Sequence, residues 1–420
     1  MLAFAQRAPS DLPRVELGAT PELIYSVNPN DPWNKIFYFL FSRKLTVRLS
    51  SDFAEGAPFI DRSGRKVSTR VFERNETGDR AIDPMYPTFG VGFGGMLVLS
   101  DWAYPAFTQA LRDALAETTV RSATARALMQ SDLWGAYDAL SFPFLPDDER
   151  VLGKRRETAL DLIGRLIRKI ALTAQDIKGL PENYSSAARR NKFPDVFAKD
   201  SGWIEVAWFL PRNHDDEAGY RRVSRVFLNP ALSPRNVQRF LEAETSSKPD
   251  DPSALKGVAL ITQLLLIDSR GNLQPTKLTT EAQIRLFAPG GGSGIVAGAM
   301  RTCEISRKLF LQDQESGGLI AEDDDTPAYL SDGGSYGFAE GQLMPVPNQA
   351  WGEPIQVKLR TRCAACHGEN LAQLQTFSVV RPPHPPQIRQ LNAAGTEVAD
   401  LDIHIKQQRK DFQALFVYFK

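Results

Sequence analysis

Apolar residues recur at spacings of three and four along 106–116, 121–140 and 149–172, and each stretch predicts an amphipathic helix. In the third, Leu160, Leu162, Ile163, Leu166, Ile167 and Ile170 form a wide apolar stripe, with Arg165, Arg168 and Lys169 opposite. Thr173 stands where the cap of a short following helix belongs, and that helix must end before Pro181. Beyond about residue 200 the period shortens. Stretches 203–209, 222–228, 258–267 and 282–287 have the composition of strands, and Ser269-Arg270-Gly271-Asn272 marks a turn between the last two. A helix is expected at 233–244. The first hundred residues mix turn formers with short apolar runs at 35–41 and 45–49. Residues 317–347, rich in Gly, Pro, Asp and Ser, read as a long irregular linker. The tail, 398–419, reads as a helix with Leu401, Ile405, Phe412, Leu415 and Phe419 on one face. A helical half followed by a mainly antiparallel sheet with helices predicts the α+β class.

Composition narrows the partners. The chain of 420 residues exceeds one ordinary domain, and 42% hydrophobic with 24% charged content is that of a soluble globular protein. Fifty basic and fifty acidic residues cancel without a long run of either sign, which argues against a nucleic-acid partner. No apolar stretch approaches the roughly 20 residues that span a bilayer; the longest, 257–267, reads as a buried strand. With three cysteines, a disulfide-rich scaffold is excluded.

Two of those cysteines carry the chemistry. Cys363-Ala364-Ala365-Cys366-His367 sets two thiols three positions apart with an imidazole directly after the second. That spacing lets both sulfurs meet the vinyl groups of one porphyrin edge while the next side chain lies under the iron. Read from the residues alone, the pair also suits a disulfide, a redox dithiol or half of a zinc site. A zinc site needs a second ligand pair, which His384 and His404 do not supply at suitable spacing. A redox dithiol expects a strand in a βαβ setting, which 354–362 does not offer.

The segment Arg362-Cys363-Ala364-Ala365-Cys366-His367-Gly368 resembles the attachment segment of c-type cytochromes. The resemblance implies one covalently held haem c, with Cys363 and Cys366 as thioether anchors and His367 as the proximal iron ligand. Small cytochromes of this kind usually place a Met on the distal side, downstream of the motif. Here Met344 is the last methionine and precedes it. The distal candidates are therefore His384, Met344 and His404, or an open position. His384 is preferred, because four prolines in Arg381-Pro382-Pro383-His384-Pro385-Pro386 stiffen the backbone around it.

Residues 1–5 read as the remnant of a signal peptide, since Ala3-Phe4-Ala5 before Gln6 has the small-x-small form that signal peptidase cleaves after. A periplasmic or otherwise exported protein follows, with 6–340 as an α+β body and 347–420 as a small, mainly helical haem-binding segment. Phrases such as 126–134 and 172–181 resemble a family of uncharacterised exported bacterial proteins, which implies no activity. The expected role is electron transfer with a redox protein partner. The alternatives are a haem enzyme or sensor with an open distal site, and a structural protein with a Cys363–Cys366 disulfide.

Other motifs add little. Gly90-Val91-Gly92-Phe93-Gly94-Gly95 follows Pro84-Met85-Tyr86-Pro87 instead of a strand, so dinucleotide binding is not expected. Gly290-Gly291-Gly292-Ser293-Gly294 lacks the lysine of a phosphate loop, and the acidic run from Glu322 to Asp325 lacks calcium-loop spacing. His214 reads as a solvated turn. Cys303 reads as a buried small apolar side chain.

Overall fold

Helix α1 (Pro32–Phe41) begins where Asp31 accepts from the Trp33 amide at 2.9 Å and Pro32 occupies the first helical position. Its Trp33, Ile36, Phe37 and Leu40 are buried at helical spacing. The chain is described here from a computed structural model that covers residues 23–50, 58–60, 66–77, 98–141, 149–206, 222–230, 255–287, 295–322, 327–331, 337–339, 342–344, 354–358, 403, 407 and 410–420.

The helical patterning is realised as α2 (Tyr104–Ala116), α3 (Ala123–Ser141) and α4 (Glu149–Ile170). The expected stripe of α4 is its buried face, with Ile163, Leu166 and Ile167 fully enclosed and Arg165, Arg168 and Lys169 exposed. Side chains from neighbouring helices close the ends. Arg126 donates to the Ile170 and Ala171 carbonyls at 3.0 and 2.6 Å. Lys169 in turn donates to the carbonyls of Ala114, Leu115 and Glu117 at the end of α2. Thr173 caps α5 (Ala174–Lys178) in a reciprocal capping box, and its hydrogen bonds hold the Asp176 carboxyl below the usual carboxylate range. A further helix, α6 (Tyr184–Asn191), ends on Lys192 in the left-handed region.

The sheet half is a six-stranded antiparallel sheet in simple sequence order. Its strands are β4 (Ile204–Val206), β5 (Arg222–Pro230), β6 (Leu255–Ile267), β7 (Leu273–Phe287), β8 (Ile295–Ile305) and β9 (Leu319–Glu322). Gly271, at φ +85°, makes the tight turn between β6 and β7. One face carries Phe227, Ala259, Ile261, Ala282, Ile284, Cys303 and Ile305 and packs on α5 and α6. The other face is mixed, with Val226, Leu228 and Val258 buried on it beside polar side chains. On it Thr262, Glu281 and Glu304 stand side by side across three strands, and Arg222 lies 4.0 Å from Glu281. The protein is α+β.

A second sheet had no counterpart in the sequence reading. Strands β1 (Ser42–Ser50), β2 (Pro58–Ile60), β3 (Lys66–Thr77), β10 (Pro327–Ser331) and β13 (Pro354–Lys358) lie in the order β10-β13-β1-β3-β2. Within it β13 runs parallel to β1, with Arg48 opposite Ile355, and antiparallel to β10. A ribbon of β11 (Gly337–Ala339) and β12 (Gln342–Met344) stands apart. Stretch 317–347 is therefore not an irregular linker throughout. It supplies β9, β10, β11 and β12, because pairing of β9 with β8, β10 with β13 and β11 with β12 outweighs its weak local preference.

Helix α7 (Arg307–Gln312) follows β8, and α8 (Lys410–Phe416) with a 3₁₀ turn at Val417–Phe419 ends the chain. Phe412 and Leu415 of α8 are buried in the core formed by α1, α2, α3 and α4, as the tail pattern predicts. The helix expected at 233–244 and the glycine-rich motifs at 90–95 and 290–294 lie outside the described residues.

Candidate functional site

Cys363, Cys366, His367, His384 and His404 lie outside the described residues, as does His214. Met344 is the last residue of β12, opposite Gly337. What is described are the two ends of the chain that carry the motif. Upstream, β13 is an interior strand of the second sheet. Downstream, Ile403 and α8 pack on the helical core. The donor set is right for covalent haem: two thiols for thioethers and an adjacent imidazole nitrogen for iron.

The downstream anchor is made by aromatic rings. Phe412 lies 6.1 Å from Trp134, Phe416 stacks on Phe412, and Tyr418 meets Tyr137 edge-on at 6.5 Å. Gly164, in the middle of α4, costs the helix about 1 kcal/mol relative to alanine. Its presence has a packing reason, since a Cβ there would overlap the ring of Tyr418. Gly271 makes the same kind of room for Phe416 and Phe419. Arg168 covers Phe419 at 5.5 Å.

Cys303, the remaining cysteine, is fully buried on β8 and is not in a disulfide. Burial, reinforced by the Glu281 carboxylate, pushes its thiol far above the ordinary range. It therefore stays protonated and unreactive, in keeping with the core role read from the sequence.

A buried polar cluster joins three distant segments. Arg307 grips Asp132 through Nη2 at 2.5 Å and Nε at 3.1 Å, and Tyr25 donates its hydroxyl to Asp132 at 2.7 Å. The guanidinium lies over Phe41 at 4.8 Å and Phe37 at 5.7 Å. Burial, with the Asp132 charge adding to it, raises the Tyr25 phenol well above its usual range. At neutral pH the phenol keeps its proton and donates it to Asp132, and a guanidinium does not give up its proton. The cluster is thus a staple between α1, α3 and the end of the six-stranded sheet.

Two buried amides do related work on the sheet. Gln130 donates to the Ile267 carbonyl at 2.9 Å and accepts from the Ile267 amide at 2.8 Å. It serves the end of β6 that extends past the start of β5, where Arg222 pairs with Leu264. Asn183 bonds both backbone groups of Thr279 at 2.7 and 3.0 Å, beyond the end of β8, and also the Gly317 carbonyl at 2.8 Å. Each amide supplies the hydrogen bonds of a neighbouring strand that is not there. Sequence reasoning missed both. The available signal was a polar residue, Gln130, set between Leu128, Met129 and Leu133 in an otherwise apolar run.

Among the described residues, no three His, Cys, Asp or Glu side chains converge to hold a metal, and no helix is long and apolar enough to cross a membrane. No family model, curated protein or solved structure matches the chain.

Proposed function

We propose that the chain is an exported c-type haem protein that transfers electrons to or from a protein partner. The observation that carries this reading is Cys363-Ala364-Ala365-Cys366-His367-Gly368. Three features support it. Cys303 is sequestered in the sheet core, so the motif's thiols have no competitor among the described residues. The balanced charge fits a protein partner better than a polyanion. The small-x-small run before Gln6 accords with the periplasm, where bacterial c-type haem is attached.

On this reading Cys363 and Cys366 form thioethers, and His367 binds iron through Nε2. Its Nδ1–H donates to an acceptor that fixes the ring. His384 is the proposed distal ligand, with Met344 and His404 as the other candidates. Histidine in that place sets a lower reduction potential than methionine. A second reading, an open distal position suited to peroxide, oxygen or nitric oxide, is favoured by one fact: no methionine follows His367.

The deciding experiment is a reduced-minus-oxidised optical spectrum of protein made with the haem-attachment machinery, before and after acid-acetone extraction. A sharp alpha band that survives extraction supports covalent haem. A low-spin ferric spectrum supports six-coordination and electron transfer, and a high-spin one supports the open site. Protein without haem sinks both and leaves the Cys363–Cys366 disulfide. An intact Met1 in native protein, read by mass spectrometry, would remove the export assignment.

A further inference from the structure

Residues 412–419 touch the helical body and the six-stranded sheet together. The Tyr418 ring fills the space that a Cβ on Gly164 of α4 would need. Phe416 and Phe419 do the same at Gly271, in the turn between β6 and β7. Arg168, one turn along α4, covers Phe419 at 5.5 Å. One set of rings therefore joins the long helix to the sheet turn. A direct tie runs beside it, since the Ser269 amide donates to the Leu172 carbonyl at 2.7 Å.

We infer that residues 412–419 are a releasable strap: docked, they pin the β6–β7 turn against α4, and released, they free that turn while the sheet stays joined to the helices elsewhere. Two observations carry this. Among the described residues the strap is held by apolar and aromatic contacts, and Val417, between the anchoring rings, is 62% exposed. Its helix α8 has seven residues, well short of what holds a helix by itself. Such a segment opens locally at a lower cost than the whole fold. The joints elsewhere are directional and buried, with Arg307 on Asp132 and Asn183 on Thr279. Coupling is reciprocal, so whatever steadies the turn also favours the docked strap. The inference is independent of the haem reading above.

The test uses the full chain with Gly164→Leu. Leucine is the better helix former, so α4 itself is not weakened, while the side chain occupies the place of the Tyr418 ring. Three results are expected. Limited proteolysis cuts within 410–420. Hydrogen exchange at the Ser269 and Gly271 amides becomes at least tenfold faster. Exchange at the Ser306 amide, held by the Gly318 carbonyl, and at the Thr279 amide, held by Asn183, stays within about twofold of wild type.

Adding Tyr418→Ala makes room for the leucine and should return the first two readouts toward wild type. Phe419→Ala, which leaves α4 untouched, should give the same split in exchange rates and carries the test if Gly164→Leu does not fold. A released tail with wild-type exchange at Ser269 and Gly271 overturns the inference. So does equal acceleration at Ser306 and Thr279, which would mean that the tail leaves only when the whole fold opens. A tail that stays protected in both variants overturns it as well.

Discussion

Arg307 and Asp132, 175 positions apart, form a two-point ion pair whose side chains are 3% and 6% exposed. The pair connects the helix after β8 to the middle of α3, so it fixes how the six-stranded sheet meets the helical body. Buried charge is tolerable here because both oxygens of the carboxylate and one face of the guanidinium are satisfied. Tyr25 completes the first, and Phe41 covers the second.

Asp132→Asn should therefore destabilise by about 3–5 kcal/mol, because it leaves the Arg307 charge buried without its counter-ion. Replacing both residues, as in Asp132→Leu with Arg307→Met, should cost clearly less than the two single changes added together. Urea midpoints measure this. A loss under about 1 kcal/mol for Asp132→Asn would mean the pair is solvated and the staple does not exist.

Gln130→Leu keeps the volume and removes the strand-like hydrogen bonds to Ile267. Two backbone groups then lose their partners, at roughly 1–3 kcal/mol each. Hydrogen exchange at the Ile267 amide should accelerate by at least tenfold, and an unchanged rate would show that another group serves it.

Alkaline pH should unfold the protein early. The Tyr25 and Tyr184 phenols and the Cys303 thiol are all raised above their ordinary values, chiefly by burial. For such groups the unfolded chain loses its proton first. Their stabilisation is complete below the unfolded values, near 9 for the thiol and 10 for the phenols, and is lost as pH rises above them. Each group adds a slope of up to about 1.4 kcal/mol per pH unit. Cys303→Ala should flatten the urea midpoint between pH 9 and 10. Phenol absorbance showing all ten tyrosines titrating smoothly near pH 10 in the folded protein would contradict the burial argument.

His384→Ala should turn a low-spin ferric spectrum high-spin, and added imidazole should restore it. Retention of the low-spin spectrum moves the assignment to Met344 or His404, and the same substitution at each distinguishes them.

The parts of the fold that sequence revealed are those set by neighbours along the chain. The α4 stripe, the Thr173 cap and the Gly271 turn each depend on a few adjacent residues, and each is found in place. The second sheet was not legible, because Arg48 meets Ile355 across most of the chain and neither strand announces its partner. Gln130, Asn183, Asp132 and Arg307 were missed for a related reason. A lone polar residue has the composition of surface, and only tertiary contact turns it inward. The Cys363–His367 motif is legible for the opposite reason, since the chemistry proposed for it is complete within five consecutive residues. A distal ligand joins separate segments and leaves no such mark.

The parallel pairing of β1 with β13 sets an order of events. Ser42 is made long before Lys358, so β1 must wait for β13 before it gains its second neighbour. The six-stranded sheet pairs strands in sequence order and has no such delay. Contacts of this separation form slowly, and an unpaired edge stays open to other chains meanwhile. The strand that closes that edge is the one leading into Cys363. The second sheet is thus completed by the stretch of chain made just before Cys363 and Cys366.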